Sequence, residues 1–168
     1  SNLCNFSCRM CNTSNSSEFA RDEQKLGRFS GQLVRKSFQD FSGFLKFLDR
    51  HLDEVEEFYF SGGEPLLLKE HYEILRVLIA RGKTDVRLRY NTNLSKLSLG
   101  NDSATGYWKH FQNVAIGASL DASGARAEYI RKGTVWPEIV QNRMRLQREA
   151  PHARFWLAPA VGVLNAFH

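Results

Sequence analysis

Apolar positions along this chain alternate between two periods. Over residues 37–54, SFQDFSGFLKFLDRHLDE, Phe38, Phe41, Phe44, Leu45, Leu48 and Leu52 recur at helical spacing. Residues 55–60 then read as a short strand, closed by Ser61-Gly62-Gly63. Residues 69–81, KEHYEILRVLIAR, return to the helical period, with Gly82 as the stop. Val86, Leu88 and Tyr90 alternate within 85–92, as in a half-buried strand. A helical turn is expected near 107–111 and a buried strand over 113–122, NVAIGASLDA. Residues 135–149 read as a helix with Pro137 in its first turn, where proline is tolerated. RFWLAPAVGVLN, 154–165, reads as a last strand.

Strand followed by helix, repeated, is the signature of parallel βα units and an α/β fold. In such folds chemistry collects at the C-terminal ends of the strands. Three loops meet that description: Ser61-Gly62-Gly63-Glu64-Pro65, Asn91-Thr92-Asn93 and Ser119-Leu120-Asp121. If their strands are parallel neighbours, the three share one rim. The 168 residues are one domain's worth, with no internal repeat, low-complexity tract or linker. The opening Ser1-Asn2-Leu3 leaves no room for a strand before the first cysteine. The expectation is therefore a partial parallel barrel, short of its first strand and its C-terminal part, with an exposed edge that lowers stability.

Composition narrows the class. Apolar residues make up 42% and charged residues 24%, ordinary for a soluble globular protein. No run approaches the ~18 apolar residues of a membrane span, and no signal peptide opens the chain. A reducing cytoplasm is the expected location, with no membrane partner. The formal net charge of +5 comes from scattered basic residues, which read as solvated faces. No aromatic-interleaved basic motif suggests nucleic acid.

The chemistry is concentrated in CNFSCRMC, residues 4–11, which holds all three cysteines, Cys4, Cys8 and Cys11. Thiolates at three- and two-residue spacing on one loop converge on a metal. Zinc usually takes four protein ligands, and the fourth would have to come from a distant histidine; the nearest downstream, His51, lies in an expected helix. A [4Fe–4S] cluster takes one cysteine per iron, so three cysteines leave one iron open to an amino group and a carboxylate, such as the methionyl end of S-adenosylmethionine.

At this point the sequence resembles the radical SAM superfamily. Cys4, Cys8 and Cys11 match its CxxxCxxC motif, and Gly62-Gly63-Glu64-Pro65 matches its GGEP motif after the second barrel strand. The finer pattern is similar to the SPASM/twitch branch: Cys4-Asn5, Arg9-Met10-Cys11, Asn91-Thr92-Asn93, SLDA at 119–122, and Tyr129-Ile130-Arg131-Lys132-Gly133. That branch adds a C-terminal domain with further cysteines. None is present here, so residues 1–168 are expected to be the core domain alone.

The resemblance implies roles. Cys4, Cys8 and Cys11 would ligate the [4Fe–4S] cluster, and its open iron would bind S-adenosylmethionine. Gly62 and Gly63 would let the strand end approach the methionyl amino group. Glu64 would accept hydrogen bonds from that ammonium or hold the loop, with Pro65 punctuating the turn. Ser119 would lie near the ribose or the methionyl carboxylate, and Asp121 would face substrate or brace its loop; a Ser/Asp helix cap is the plainer alternative. Arg131 would pair with the cofactor carboxylate, its fork suited to bidentate contact. Asn93 ends the third strand, with Leu94 where the branch often carries glycine. Asn165, at the end of the last strand, would reach the adenosyl portion or cap a turn. Met10 occupies a position often aromatic and would pack against adenine.

The implied activity is reductive cleavage of S-adenosylmethionine to a 5′-deoxyadenosyl radical. That radical takes hydrogen from a peptide, a protein side chain or a small metabolite. The electron would come from a donor such as flavodoxin or ferredoxin. A glycyl-radical-enzyme activase shares both motifs, although Met10 argues against it. A zinc-stabilised binding module is the reading of a different class.

Overall fold

The computed structural model describes residues 1–167. In chain order it forms β1 (Ser7–Cys8), α1 (Ser17–Lys25), α2 (Phe41–Arg50), β2 (Glu57–Phe60), α3 (Lys69–Ala80), β3 (Arg87–Thr92), β4 (Ser98–Leu99), β5 (Asp102–Ser103), α4 (Ala104–Trp108), β6 (Asn113–Ala118), α5 (Gly124–Ile130), β7 (Arg131–Lys132), α6 (Trp136–Glu149) and β8 (Arg154–Leu157). Single 3-10 turns occupy Leu52–Glu54 and Pro65–Leu67.

Strands β2, β3, β6 and β8 pair in that order as one parallel sheet. A helix lies in each crossover: α3, then α4, then α6. The fold is mixed α/β, with the sheet forming part of a parallel barrel wall. Side chains alternate across it. On β3, Leu88, Tyr90 and Thr92 are buried, while Arg87 and Arg89 are exposed. Val114 and Ile116 of β6 join Leu88 and Tyr90, and Ile74, Leu75 and Leu78 of α3 and Ile139 and Leu146 of α6 pack over them around Trp108. On the other face Glu57 pairs with both Arg87 and Arg89, at 3.3 and 3.1 Å.

Local signals set most boundaries. Asp40 caps α2 by accepting from the Gly43 N–H, so the helix starts at Phe41 and the preceding Ser37–Gln39 stays outside it. Gly82 takes φ +69 and ends α3 as expected. Ser103 caps α4, which therefore starts before the anticipated 107–111 turn. The strand expected over 113–122 stops at Ala118, where a bond from Leu120 N to Ala118 O turns the chain.

The last expected strand is corrected most. Pairing ends at Leu157, and one further bond runs from Ala158 N to Ala118 O. Pro159 follows and has no N–H to offer a ladder. Residues 158–165 form loop and turn, so Asn165 does not end a strand.

Behind the sheet, His71 of α3 is buried, with Nε2 3.0 Å from the Tyr90 hydroxyl. Burial pulls its pKa down to about 3. The unfolded chain binds a proton near pH 6.5 that the folded chain refuses. Stability is therefore lost as pH falls from about 6.5 toward 3, by about 1.4 kcal/mol per unit. Urea melts of the wild type and His71→Leu at pH 7 and 5 test this. The variant should lose less stability on acidification, and equal losses would contradict the assignment.

Candidate functional site

The cysteine loop lies against the end of β2. Gly63 N donates to Ser1 O at 3.0 Å, and Glu64 N to Leu3 O at 2.7 Å. This contact explains both glycines. A Cβ on Gly63 would stand 2.2 Å from the Leu3 carbonyl oxygen, and one on Gly62, at φ +120, would stand 2.7 Å from that of Ser1. Overpacking against backbone costs ~1–3 kcal/mol. Gly63→Ala should therefore lower the melting temperature by several degrees and reduce the iron retained after reconstitution. An unchanged melting temperature would mean that the loop does not need this close approach.

Side chains tie the loop down elsewhere. Asn2, buried, donates from Nδ2 to Thr13 O and Leu33 O and accepts from Arg35 N. Ser17 Oγ donates to Cys4 O, and Ser16, the cap of α1, donates to Phe6 O. Asn5 Nδ2 reaches Ser95 Oγ at 2.9 Å, while Asn93 Nδ2 reaches Asn5 Oδ1 at 3.0 Å. Strand β1 pairs antiparallel with β7, setting Cys8 opposite Arg131.

The result is a cavity of about 230 Å³ lined by all three cysteines together with Gly62, Gly63, Asn93, Ser119 and Arg131. Phe6, Asn15, Ser61, Asn91 and Thr92 complete its wall. Cys4 and Cys8 are buried and Cys11 half-buried, and none is in a disulfide. Burial pushes the Cys4 thiol up to about 11. Cys8 and Cys11 share a hydrogen bond that pushes Cys8 up and brings Cys11 down to about 6, and the Arg131 charge favours the thiolate on both.

Glu64 is fully buried and turned inward. Its Oε1 accepts from Thr92 Oγ1 at 2.7 Å and Leu66 N at 3.1 Å, and its Oε2 from Asn93 N at 2.7 Å. Its carboxylate is closed off from the cavity, which Glu64 does not line, so of the two anticipated roles the geometry favours the holding of the loop. Pro65 is buried behind it in the first turn of the 3-10 segment. Leu94 takes φ +60, the left-handed conformation that glycine would adopt without strain. The strand end thus keeps that backbone despite the side chain.

Asp121 and Arg131 meet. Arg131 Nε and Nη2 donate to the Asp121 carboxylate at 2.6 and 2.9 Å. Asp121 is thus a brace and does not line the cavity. Two further expected positions lie away from the cavity lining. Met10 is 45% exposed and stands outside the cavity wall. Asn165 accepts from Gly162 N and donates to Asp121 O and Ala160 O, so it pins a turn beneath the rim. Asn2, Phe6 and Asn15 carry no motif signal in the sequence, and Asn5 and Asn91 only that of the motifs they stand in. The Asn5 signal was present in the Cys4-Asn5 pair, but its partners Asn93 and Ser95 lie about 90 residues away.

The family model of the radical SAM superfamily matches residues 1–149, and the chain belongs to that superfamily. A search of curated proteins finds no match. Superfamily members are enzymes whose core uses a [4Fe–4S] cluster and S-adenosylmethionine. The residues fit such a group. Among the described residues no three ligand side chains stand at the spacing of a single metal ion. A cluster takes one thiolate per iron, and all three thiols line one cavity. No helix among the described residues is long and apolar enough to cross a membrane.

Proposed function

We propose that this chain is the core of a SPASM/twitch-like radical SAM enzyme acting on a peptide, a protein side chain or a small metabolite. The observation that carries it is one cavity walled by Cys4, Cys8, Cys11, Gly62, Gly63, Asn93, Ser119 and Arg131. The branch reading draws support from its motif residues meeting in pairs: Asn5 with Asn93, and Asp121 with Arg131.

Cys4, Cys8 and Cys11 would hold the [4Fe–4S] cluster. When bound and reduced, the cluster supplies the electron that cleaves S-adenosylmethionine to a 5′-deoxyadenosyl radical, which takes hydrogen from a carbon. The chain's own residues position and shield. Gly62 and Gly63 keep the rim free of side chains where the methionyl end would lie. Ser119 offers a hydroxyl at a strand end, for ribose or methionyl-carboxylate contact, and Asn93, its amide bonded to Asn5 Oδ1 and Ser95 N, ties the cysteine loop to the next strand end. Phe6, 1% exposed, closes the cavity behind the cysteines against water. Ser61 and Asn91 continue the wall toward the open face of the sheet, where substrate would enter. A small electron-transfer protein such as flavodoxin or ferredoxin would deliver the electron.

The test is anaerobic incubation of the reconstituted chain with dithionite and S-adenosylmethionine. Formation of 5′-deoxyadenosine and methionine, absent with Cys8→Ala, is expected. A chain that holds its cluster but yields neither product would contradict the proposal.

A further inference from the structure

We infer that Arg131 is a positioning residue for the cluster, donating a hydrogen bond from Nη1 to the sulfur of Cys8 and raising the cluster's reduction potential. This rests on the reading above that the cavity holds a cluster.

The arrangement commits the guanidinium almost completely. Its Nε and Nη2 edge is taken by Asp121 in the bidentate geometry that a carboxylate favours. Asp121 cannot drift, because its side chain is fully buried and Oδ1 also accepts from Ala160 N at 2.8 Å. Nη1 remains, and it points at Cys8 Sγ from 3.9 Å, within reach of an N–H···S bond. The backbone fixes the same pair: Cys8 and Arg131 are register partners in the β1–β7 ladder, and Arg9 N bonds to Ile130 O at 2.9 Å. Arg131 therefore has little freedom to swing toward another ligand. The fork expected for the cofactor carboxylate is already occupied from within the chain.

Chemistry gives the arrangement a consequence. Adding an electron to a thiolate-ligated cluster increases its negative charge, and hydrogen bonds to the sulfurs favour that state. Arginine stays protonated throughout. Its side chain is 13% exposed, so solvent screens it little. The pair is neutral as a whole, yet its positive end faces the thiolate while its negative end is turned away.

The experiment is a reductive titration of the reconstituted chain followed by electron paramagnetic resonance, after iron and sulfide analysis. Arg131→Gln should shift the midpoint to a more negative potential, and Arg131→Lys should recover part of the shift. A second measurement uses the Arg9→Lys chain labelled with guanidino-15N arginine, which retains Arg131. Its reduced cluster should show a 15N coupling, and this readout decides the matter if Arg131→Gln fails to fold. A wild-type chain that takes up no iron would sink the functional reading itself. A cluster present but without 15N coupling would overturn this inference alone. So would an unchanged midpoint in Arg131→Gln with weakened binding of S-adenosylmethionine, which would assign Arg131 to the cofactor carboxylate.

Discussion

Cys8→Ala is expected to leave a folded chain that retains almost no iron after anaerobic reconstitution. The sequence has three cysteines, all on one loop, so no spare thiol can substitute. Altering groups outside the ligand set typically costs ~10–100-fold in metal affinity; removing a ligand from a set of three costs more. The fold should survive. Cys8 is held through backbone pairing with Arg131, which alanine keeps. Its sulfur sits in a small cluster with Cys4 and Phe6, apart from the main core over the sheet. The far-ultraviolet circular dichroism of the apo chain should therefore match wild type while iron and sulfide content collapses. Wild-type iron content in the variant would remove Cys8 from the ligand set. Loss of the dichroism signal would instead make Cys8 structural.

Glu64→Ala is the second large effect, and here stability goes first. The substitution removes an acceptor that satisfies Thr92 Oγ1, Asn93 N and Leu66 N in a site closed to solvent. A buried donor left without a partner costs about 1–3 kcal/mol. Three at once would cost roughly 3 kcal/mol or more, at the severe end for one substitution. The loss would fall where the β2 and β3 ends join, beneath the cavity, so iron retention should drop with stability. Glu64→Gln keeps the shape and acceptor oxygen but sets an amide donor against one of the three donors, so an intermediate loss is expected. Acidity adds a signature. Burial pushes Glu64 up to about 7. The folded chain then keeps a proton that the unfolded chain releases near its ordinary value. This contribution is full below about pH 4.5 and fades as pH rises through 7. His71 acts in the opposite direction over about 3 to 6.5, which is why each is read against its own variant. Urea melts of Glu64→Ala within about 0.5 kcal/mol of wild type, the size of a neutral surface change, would mean that the carboxylate does not hold the rim.

How much of this was legible depends on whether the signal was local. The βα alternation emerged from periodicity because half-buried strands and amphipathic helices repeat their pattern within a few residues. The cysteine spacing and the Gly62-Gly63 pair are local too. Helix α1 offers few apolar positions to read: SEFARDEQK has only Phe19 and Ala20, and buries only Ser17 and Ala20. The β1–β7 pair joins two-residue strands more than 120 residues apart, and such pairing leaves no pattern to read. The same holds for Glu64 with Thr92 and Asn93. A GGEP loop announces a rim but not which way its carboxylate turns. Residues 154–165 misled in the other direction. Their apolar run read as a strand, but Pro159 stops the ladder, and Val161 and Val163 are left exposed. Asn165 holds a turn there, one of its two expected roles, although no strand leads to it. Met10, beside a ligand in sequence, stands outside the cavity because the loop turns between Cys8 and Cys11, where Cys11 N bonds to Cys8 O at 3.0 Å.

The central claim is that three thiols on this loop hold a cubane with one open iron. Electron paramagnetic resonance of the anaerobically reconstituted and reduced chain, with and without S-adenosylmethionine, tests it most directly. A [4Fe–4S] signal that changes on adding S-adenosylmethionine is the expected result. Zinc bound in place of iron, or a cluster signal indifferent to S-adenosylmethionine, would contradict it.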